Sequence, residues 1–301
     1  VLKKHGYTTA FIFGGDLNYG NLRACIFSAG FDSIIEEKQL KRMYPAGALG
    51  VHDEFTLPYL INFIKGLKKP FFVVLLTLST HSPYDMPSKV IRIKDELPEK
   101  DYLNSAVYLD SILANFYYKL KRMPLWDTIA LIITSDHSHT TPCTRDPAYP
   151  SYRRIPLLIT GGAISDEFRS SKINKKSSQV DIPPTILSAL SINNTDFLWG
   201  RDLLPEIIDS SSSNQNENSH NTGPITFAFY STSNGCGWIT DNCFIIYDIS
   251  ANSYVYAPEN LPETTLTHAR KEITTYLQIV IDYFNDTKRT EKLLSENSDK
   301  P

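Results

Sequence analysis

The stretch Thr128-Ile-Ala-Leu-Ile-Ile-Thr-Ser-Asp136-His137-Ser-His139 does most to decide the fold. Its short β-branched apolar run is typical of a buried parallel strand and is too short for a transmembrane helix. In open α/β sheets, ligands bind beyond the carboxyl ends of the strands. Asp136 and His137 stand at such an end, where a carboxylate oxygen and an imidazole nitrogen can bind one divalent metal ion. The alternative is a helix-capping Asp followed by a surface His.

Three further apolar runs predict strands at residues 8–13, 71–78 and 155–160. Helices are predicted between the strands from apolar residues at helical spacing, at residues 21–29, 53–69 and 102–123 and near Pro183 and Pro184. Asp181 precedes those two prolines, and we interpret it mainly as a helix cap. Strands that alternate with helices predict an α/β fold with a mostly parallel sheet and helices on both faces.

The pattern changes after Leu204. A Ser/Asn-rich stretch is followed by short strands with tight turns, which predict a small antiparallel sheet, and then by a closing amphipathic helix. We therefore predict a main α/β part over residues 1–208, a flexible loop over 209–223, a small sheet plus helix over 224–287 and a frayed tail over 288–301.

Composition excludes some classes of protein. The 301 residues carry 30 basic and 33 acidic side chains, a net charge of -3, and no basic face that would indicate nucleic-acid binding. No stretch approaches the roughly 20 apolar residues of a membrane span.

The chain has 4 cysteines. Cys236 and Cys243 flank a predicted turn, and either pair across a hairpin or remain two half-buried thiols.

Several segments, taken in order and with their spacing, resemble the sulfatase-like branch of the alkaline phosphatase superfamily, and most of all its lipoteichoic acid synthase and phosphoglycerol transferase group. They are Phe13-Gly-Gly-Asp16-Leu-Asn-Tyr-Gly-Asn-Leu-Arg23, Thr77-Leu-Ser-Thr-His81-Ser-Pro-Tyr-Asp-Met-Pro87, Ile133-Thr-Ser-Asp136-His137, Ser178-Gln-Val-Asp-Ile-Pro-Pro-Thr-Ile-Leu187 and Trp199-Gly-Arg-Asp-Leu-Leu204. Each segment alone is weak evidence for this family, whereas the full set in this order is fairly specific to it.

The resemblance implies an alkaline phosphatase-like fold and assigns roles to particular residues. Asp136 and His137 correspond to metal ligands, with Mn²⁺ or Mg²⁺ expected and Ca²⁺ or Zn²⁺ as alternatives. His81 corresponds to a catalytic histidine that contacts the substrate phosphate or sulfate. Asp16 and Arg23 correspond to a polar pair that binds a phosphoglycerol headgroup. A guanidinium also suits an anionic ester independently of the resemblance, because its fork can donate two parallel hydrogen bonds.

The chain departs from the family pattern at four places. The family commonly has His where this chain has Gly14, and Gly where it has Ser138. The lipoteichoic acid enzymes carry an aromatic residue near Asn21, so phosphoglycerol specificity is in question. His139 is an addition, either a third group beside the metal or a surface histidine.

The family nucleophile, a Thr or a formylglycine, and a further acidic ligand lie upstream of the first matching segment. We therefore expect these 301 residues to be the C-terminal part of a catalytic domain that is inactive alone. Because apolar surface is exposed, we expect this part either to associate with itself or to be a nicked remnant still paired with its other half. The resemblance implies a membrane-anchored parent protein on the extracytoplasmic face of the membrane or in the periplasm. Its substrate would be a lipid headgroup or glycan that carries phosphate or sulfate.

The expected function is a metal-dependent phosphoester transferase or hydrolase that acts through a covalent intermediate. Alternatives within the class are a sulfatase and a phosphoethanolamine transferase. The alternative outside it is a non-catalytic binding module that retains the fold, and a generic α/β domain is a third interpretation.

Overall fold

A computed structural model describes residues 1–86, 91–94, 96–140, 146, 148–173, 176–204, 227–232, 234–240, 243–257 and 261–298, with side chains described to residue 286. The described residues divide into two compact units. The first holds 1–132 and 159–164, and the second holds 133–140, the described part of 144–158, and 165–298. The predicted domain boundaries at 208, 223 and 287 stay predictions.

The first unit is built on a three-stranded parallel sheet. Strand β1 (Thr8–Phe13) lies between β2 (Ser33–Ile35) and β3 (Phe71–Leu76), in the order β2-β1-β3. Both pairings are parallel, with Ala10 opposite Ser33 on one side and Val73 on the other. Because the strands run in the same direction, the segments that follow them emerge at one edge of the sheet.

Helices cover both faces of this sheet. On one face, Ile12 and Val73 pack with apolar residues of α3 (Asp53–Lys65). On the other face, Phe11 and Phe13 pack with apolar residues of α1 (Leu22–Ser28). Alternate residues of β1 thus face opposite helices, as the two-residue period of a strand requires. The predicted α/β architecture is confirmed.

Further helices and strands follow in the first half of the chain. Helix α2 (Glu37–Leu40) follows β2, and α4 (Lys100–Lys121) packs its buried Phe116 and Leu120 against α3. Strands β4 (Leu131–Thr134) and β5 (Leu157–Thr160) form a separate two-stranded sheet with each other instead of joining the parallel sheet. The short helix α5 (Pro150–Arg153) lies between them in sequence.

The second unit contains the predicted antiparallel sheet and closing helix. Strands β6 (Phe227–Ser231), β7 (Gly235–Thr240), β8 (Phe244–Asp248) and β9 (Ser253–Tyr256) pair in sequence order, each antiparallel to the next. Helix α7 (Glu263–Ser298) buries Ala269 and Ile273 against Trp238 and Ile245 of the sheet. Among the described residues, no helix combines the length and apolar character that crossing a bilayer requires.

Asp181 has a larger structural role than the predicted cap. Its carboxylate accepts the Ser178 backbone N–H at 2.8 Å, which forms a capping box before helix α6 (Ile182–Ala189). Asp181 is 1% exposed, and it also accepts the Arg201 backbone N–H at 2.8 Å and an Arg201 guanidinium N–H at 3.1 Å. The cap is therefore also the anionic half of a largely buried ion pair.

The alternatives left open for two of the cysteines are resolved by strand register. Cys236 lies opposite Tyr247, whereas Cys243 pairs with Thr240 at the other end of the hairpin. Both thiols are free, and burial raises the pKa of the Cys236 thiol to about 11. The disulfide across the hairpin is therefore not formed. Cys236 is fully buried and Cys243 is partly buried, so the prediction of a half-buried thiol holds for Cys243 alone of the two.

Helix α7 continues to Ser298, past residue 288 where the tail was predicted to begin. The fraying of the tail stays a prediction. The predicted loop over 209–223 lies outside the described residues, and so do Cys143, Pro87 and residues 299–301.

Candidate active site

The carboxyl edge of the parallel sheet gathers polar side chains from three successive segments. Asp16 follows β1, Glu36 follows β2, and His81 lies in the loop after β3. Asp16 and His81 were predicted from the sequence, whereas Glu36 was not. Because the strands are parallel, these residues reach the same edge although they are far apart along the chain.

Arg23 is held by acidic and amide groups of this edge. Its Nη2 donates to Glu36 Oε2 at 2.8 Å, and its Nε donates to Asn18 Oδ1 at 2.7 Å. Asp16 Oδ1 lies 3.8 Å from the same Nη2. Among the described residues no hydrogen bond engages Nη1, so one side of the guanidinium can still donate to a ligand. Arg23 and Asp16 therefore belong to one cluster, and Glu36 balances the charge of the arginine.

The Tyr19 ring connects this cluster to His81. The two rings meet edge to face at 90°, with their centroids 5.6 Å apart, and Tyr19 is 63% exposed. His81 Nδ1 lies 2.6 Å from the carbonyl oxygen of Ser82. Because a carbonyl oxygen can only accept, Nδ1 carries the proton and Nε2 is left for a ligand. The loop with Asp16 and Arg23 and the loop with His81 thus lie side by side.

Two of the departures noted in the sequence have structural reasons. A Cβ at Gly14 would lie 2.3 Å from the Val51 carbonyl oxygen, so a histidine does not fit there without a shift of the backbone. Asn21 has a φ of 60°, a left-handed conformation that asparagine tolerates far better than a bulky aromatic residue. The exposed ring of Tyr19, two residues earlier, is the aromatic group that this loop presents.

A buried carboxylate holds the beginning of the His81 loop. Asp53, 0% exposed, accepts the backbone N–H groups of Leu78 at 3.1 Å and Ser79 at 2.8 Å, and also bonds the Ser79 hydroxyl. Burial raises the pKa of the Asp53 carboxyl above its ordinary value, and the hydrogen bonds from Ser79 oppose that rise. Asp53 therefore positions the peptide groups that lead into His81 and does not act as an exposed acid.

The predicted metal pair lies in the second unit, directly after β4. Asp136 Oδ2 and His137 Nε2 are 3.5 Å apart, and both side chains are about 70% exposed. His137 Nδ1 lies 2.8 Å from the Ser138 carbonyl oxygen, which places the proton on Nδ1 and leaves a lone pair on Nε2. The remaining Asp136 oxygen, Oδ1, accepts the His137 backbone N–H at 2.8 Å.

These donor atoms fit a divalent metal ion. Two atoms bound at about 2.1 Å to one tetrahedral or octahedral ion lie about 3.0–3.4 Å apart, close to the separation of this pair. A histidine ligand usually donates its other ring N–H to a carbonyl or carboxylate, as His137 does. Next to the pair, the Ser138 hydroxyl oxygen is buried and has no partner among the described residues.

His139 does not complete a ligand set with this pair. No three side chains of His, Cys, Asp or Glu lie together as a metal-binding group in the part of the chain that the structure describes. Burial, together with the neighbouring His137, lowers the pKa of His139. Asp136 and His137 therefore stand as a pair of candidate ligands.

Most of the chain matches the model of a known protein family. Residues 1–192 match the family model described as Sulfatase. The chain belongs to the sulfatase family. The match spans the Asp16 to Arg23 loop, His81 and the Asp136–His137 pair, all of which were singled out from the sequence.

Related proteins include lipoteichoic acid synthases. Lipoteichoic acid synthase 2 of Bacillus subtilis (strain 168) is 25% identical over 233 residues, which is 68% of this chain and 34% of that protein. Lipoteichoic acid synthase of Staphylococcus aureus (strain USA300) is 28% identical over 169 residues, which is 52% of this chain and 26% of that protein. The chain spans about a third or less of the length of such relatives.

A solved structure described as a protein in the alkaline phosphatase superfamily, from Vibrio parahaemolyticus, shares the fold of this sulfatase-family chain. It has a TM-score of 0.71 at 25% identity, and the match covers 94% of this chain and 67% of that one. The resemblance to an alkaline phosphatase-like fold is therefore confirmed.

Three residues of these candidate sites were missed from the sequence: Glu36, Tyr19 and Gln179. Glu36 shows only a local signal, the capping box that it forms with Gln39 at the start of α2. Tyr19 lies within the quoted segment but contacts a residue far along the chain. Gln179 also lies within a quoted segment, and its partners are more than forty residues away. Local patterns do not reveal such long-range contacts.

Proposed function

We propose that the chain is part of a metal-dependent transferase or hydrolase of phosphoglycerol-type esters, which acts through a covalent enzyme intermediate at the extracytoplasmic side of a membrane. The observation that carries this proposal is the contact between Tyr19 and His81. It joins the loop with Asp16 and Arg23 to the histidine that follows β3. An arginine, an acid and a histidine grouped in this way suit a headgroup that has both an anionic ester and hydroxyl groups.

In this proposal Arg23 binds the anionic ester oxygens and Asp16 accepts hydrogen bonds from hydroxyl groups. Arg23 suits the role because its fork is already oriented by Glu36 and Asn18, so less side-chain freedom is lost on binding. Asp16 suits its role because its side chain is 55% exposed. Within the part of the chain that the structure describes, its contacts with the Asn18 backbone N–H at 2.8 Å and with Arg23 Nη2 at 3.8 Å both fall on Oδ1, which leaves Oδ2 for a ligand. Arg23 thus recognises the headgroup by its charge at one end, and Asp16 recognises its hydroxyl groups at the other end.

His81 takes the role of proton donor or oxyanion partner. When a nucleophile forms its bond to phosphorus, the bond to the leaving alcohol breaks, and the departing oxygen needs a proton. His81 Nε2 can supply that proton when the ring is charged, because Nδ1 is held by the Ser82 carbonyl. A second alcohol or a water molecule then releases the transferred group and returns the proton to the histidine. None of these residues takes the role of the nucleophile.

Asp136 and His137 are the residues that would hold the metal ion. When bound, the ion supplies positive charge that lowers the pKa of an attacking hydroxyl and neutralises charge on the transferring group. Mn²⁺ or Mg²⁺ suits the carboxylate, and imidazole also accepts Zn²⁺. The pair's contribution to the reaction is to present one oxygen and one nitrogen on adjacent residues.

The test uses the complete gene product and three substrates with Mn²⁺ present: a lipid with a phosphoglycerol headgroup, the same lipid with phosphoethanolamine, and an aryl sulfate. We expect release of the phosphoglycerol group, lost in Asp136→Ala and reduced at least tenfold in His81→Ala. Tyr118→Ala, at an exposed tyrosine of α4, serves as the control. Turnover of only the second or third substrate would reassign the protein to that class. No turnover of any, in a folded protein, would favour a binding module.

A further inference from the structure

Gln179 bonds the turn that carries the candidate metal ligands. Its side-chain Nε2 lies 2.5 Å from the Ser135 carbonyl oxygen and 3.0 Å from the Asp136 carbonyl oxygen. Both partners can only accept, so the atom that faces them is the amide nitrogen, and its two hydrogens match the two carbonyls. The quoted segment from Ser178 to Leu187 thereby contributes a contact to the turn after β4, although the sequence suggested only a cap there.

The backbone around Gln179 is itself fixed. Gln179 opens a single turn of 3-10 helix that Ser178 caps and Asp181 closes. Asp181 is buried and accepts two hydrogen bonds from Arg201. A long side chain on a fixed turn can hold a second segment in place at a small cost in conformational entropy.

We propose that Gln179 is a positioning residue for the metal pair: by binding the carbonyls of Ser135 and Asp136 it fixes the peptide from which the Asp136 and His137 side chains project. The inference rests on the proposed function for what the pair binds. Gln179 is exposed and lies on the carbonyl side of the turn, and its amide is neutral, so its contribution is the orientation of the ligands and not their charge.

The reason for such a residue is local. Asp136 and His137 are both largely exposed, and their hydrogen bonds to the neighbouring peptides are confined to the turn itself. A free turn would sample several backbone conformations, and each metal-binding event would then carry the entropy loss of selecting one. Loss of a residue that orients metal ligands typically lowers metal affinity by about 10–100-fold.

The experiment compares the wild-type protein with Gln179→Met, which keeps the length of the side chain and removes both donors. Gln278→Met is the matched control, because Gln278 is an exposed glutamine on α7 that bonds Asp282 one turn away. Mn²⁺ affinity is measured from the electron paramagnetic resonance signal of the free ion. Backbone ¹⁵N order parameters of residues 135–139 are measured without metal.

We expect Gln179→Met to bind Mn²⁺ about 10–100-fold more weakly, and its turn to become mobile, with order parameters falling from about 0.85 toward 0.6. Gln278→Met should change neither. Unchanged order parameters in Gln179→Met, or an equal loss of affinity in the control, would overturn the inference. If the wild-type protein bound no Mn²⁺ while the turn still loosened in Gln179→Met, the positioning role would stand and the metal dependence in the proposed function would fail.

Discussion

Arg23 donates from Nη2 to Glu36 Oε2 at 2.8 Å, and the Glu36 side chain is only 13% exposed. The residue suggested by the sequence as an anion binder is therefore already paired with a carboxylate. The ion pair orients the guanidinium but also offsets its charge. In the proposed function, Glu36 would therefore set how strongly the loop attracts an anionic headgroup.

Replacement of Glu36 by Gln should strengthen the binding of glycerol phosphate. The amide keeps the shape and one acceptor for Arg23 but removes the opposing charge, a change of about 1 kcal/mol or roughly fivefold in Kd. The measurement is a ³¹P NMR titration with glycerol phosphate. Glu37→Gln is the control, because Glu37 pairs with Lys41 and not with Arg23. Weaker binding in Glu36→Gln would mean that orientation outweighs charge.

The ring of Tyr19 should matter for binding more than its hydroxyl group. Tyr19→Ala removes the edge-to-face contact with His81 and should weaken glycerol phosphate binding about fivefold, since such aromatic pairs contribute about 0.5–1.5 kcal/mol. Tyr19→Phe keeps the contact and should bind as the wild-type protein does. The same titration measures both, with Tyr118→Ala as an exposed tyrosine control. If Tyr19→Phe weakens binding as much as Tyr19→Ala does, the hydroxyl group is the important feature.

The buried ion pair of the second unit predicts a stability effect. Arg201→Ala leaves the Asp181 carboxylate, whose side chain is 2% exposed, without its cationic partner. Breaking a buried pair from one side typically costs about 3–5 kcal/mol. Urea denaturation of the protein, followed by tryptophan fluorescence, should show this loss in the free energy of unfolding. Arg169→Ala, which removes an exposed pair with Asp166, should change it by less than about 1 kcal/mol.

Asp53 predicts a pH dependence of stability. Burial raises the pKa of this carboxyl in the folded protein above its ordinary value. The stabilisation that Asp53 provides is therefore fully present below the pKa that its carboxyl has in the unfolded chain. This stabilisation is lost as the pH rises through the pKa that the carboxyl has in the folded protein. The free energy of unfolding of the wild-type protein should fall relative to Asp53→Asn as the pH rises from about 4 to 7. Denaturation curves at several pH values measure the difference.

Asp32 supplies the opposite case as a control. The hydrogen bond from Lys3, with further bonds from Thr9, lowers the pKa of Asp32 to about 2. The stabilisation that Asp32 provides is present above the pKa that its carboxyl has in the unfolded chain, and it is lost only as the pH falls toward about 2. The difference in the free energy of unfolding between the wild-type protein and Asp32→Asn should therefore stay constant over the pH range in which the difference for Asp53→Asn changes. A constant difference for Asp53→Asn would show that its hydrogen bonds outweigh its burial.

The sequence by itself indicated the strands of the α/β part other than β2 (Ser33–Ile35), and the polar residues that follow them. Apolar runs at Thr8–Phe13 and Phe71–Leu76, and helical stripes such as that of α3, are local signals. They suffice because hydrophobic period and strand length are properties of a few consecutive residues. Asp16, His81 and the Asp136–His137 pair were found as candidates for the same reason, since each stands directly after a strand or in the loop that follows one.

Only the tertiary structure decided what those candidates touch. Strand register places Cys236 opposite Tyr247, which excludes the disulfide with Cys243. Gly14 packs against the Val51 carbonyl, where a larger residue would clash. The partners of Arg23, His81 and the Asp136 turn are Glu36, Tyr19 and Gln179. These contacts join segments that are distant in sequence, and they form because parallel strands and capped turns bring those segments together. No local pattern encodes them, since each depends on where an entire element packs.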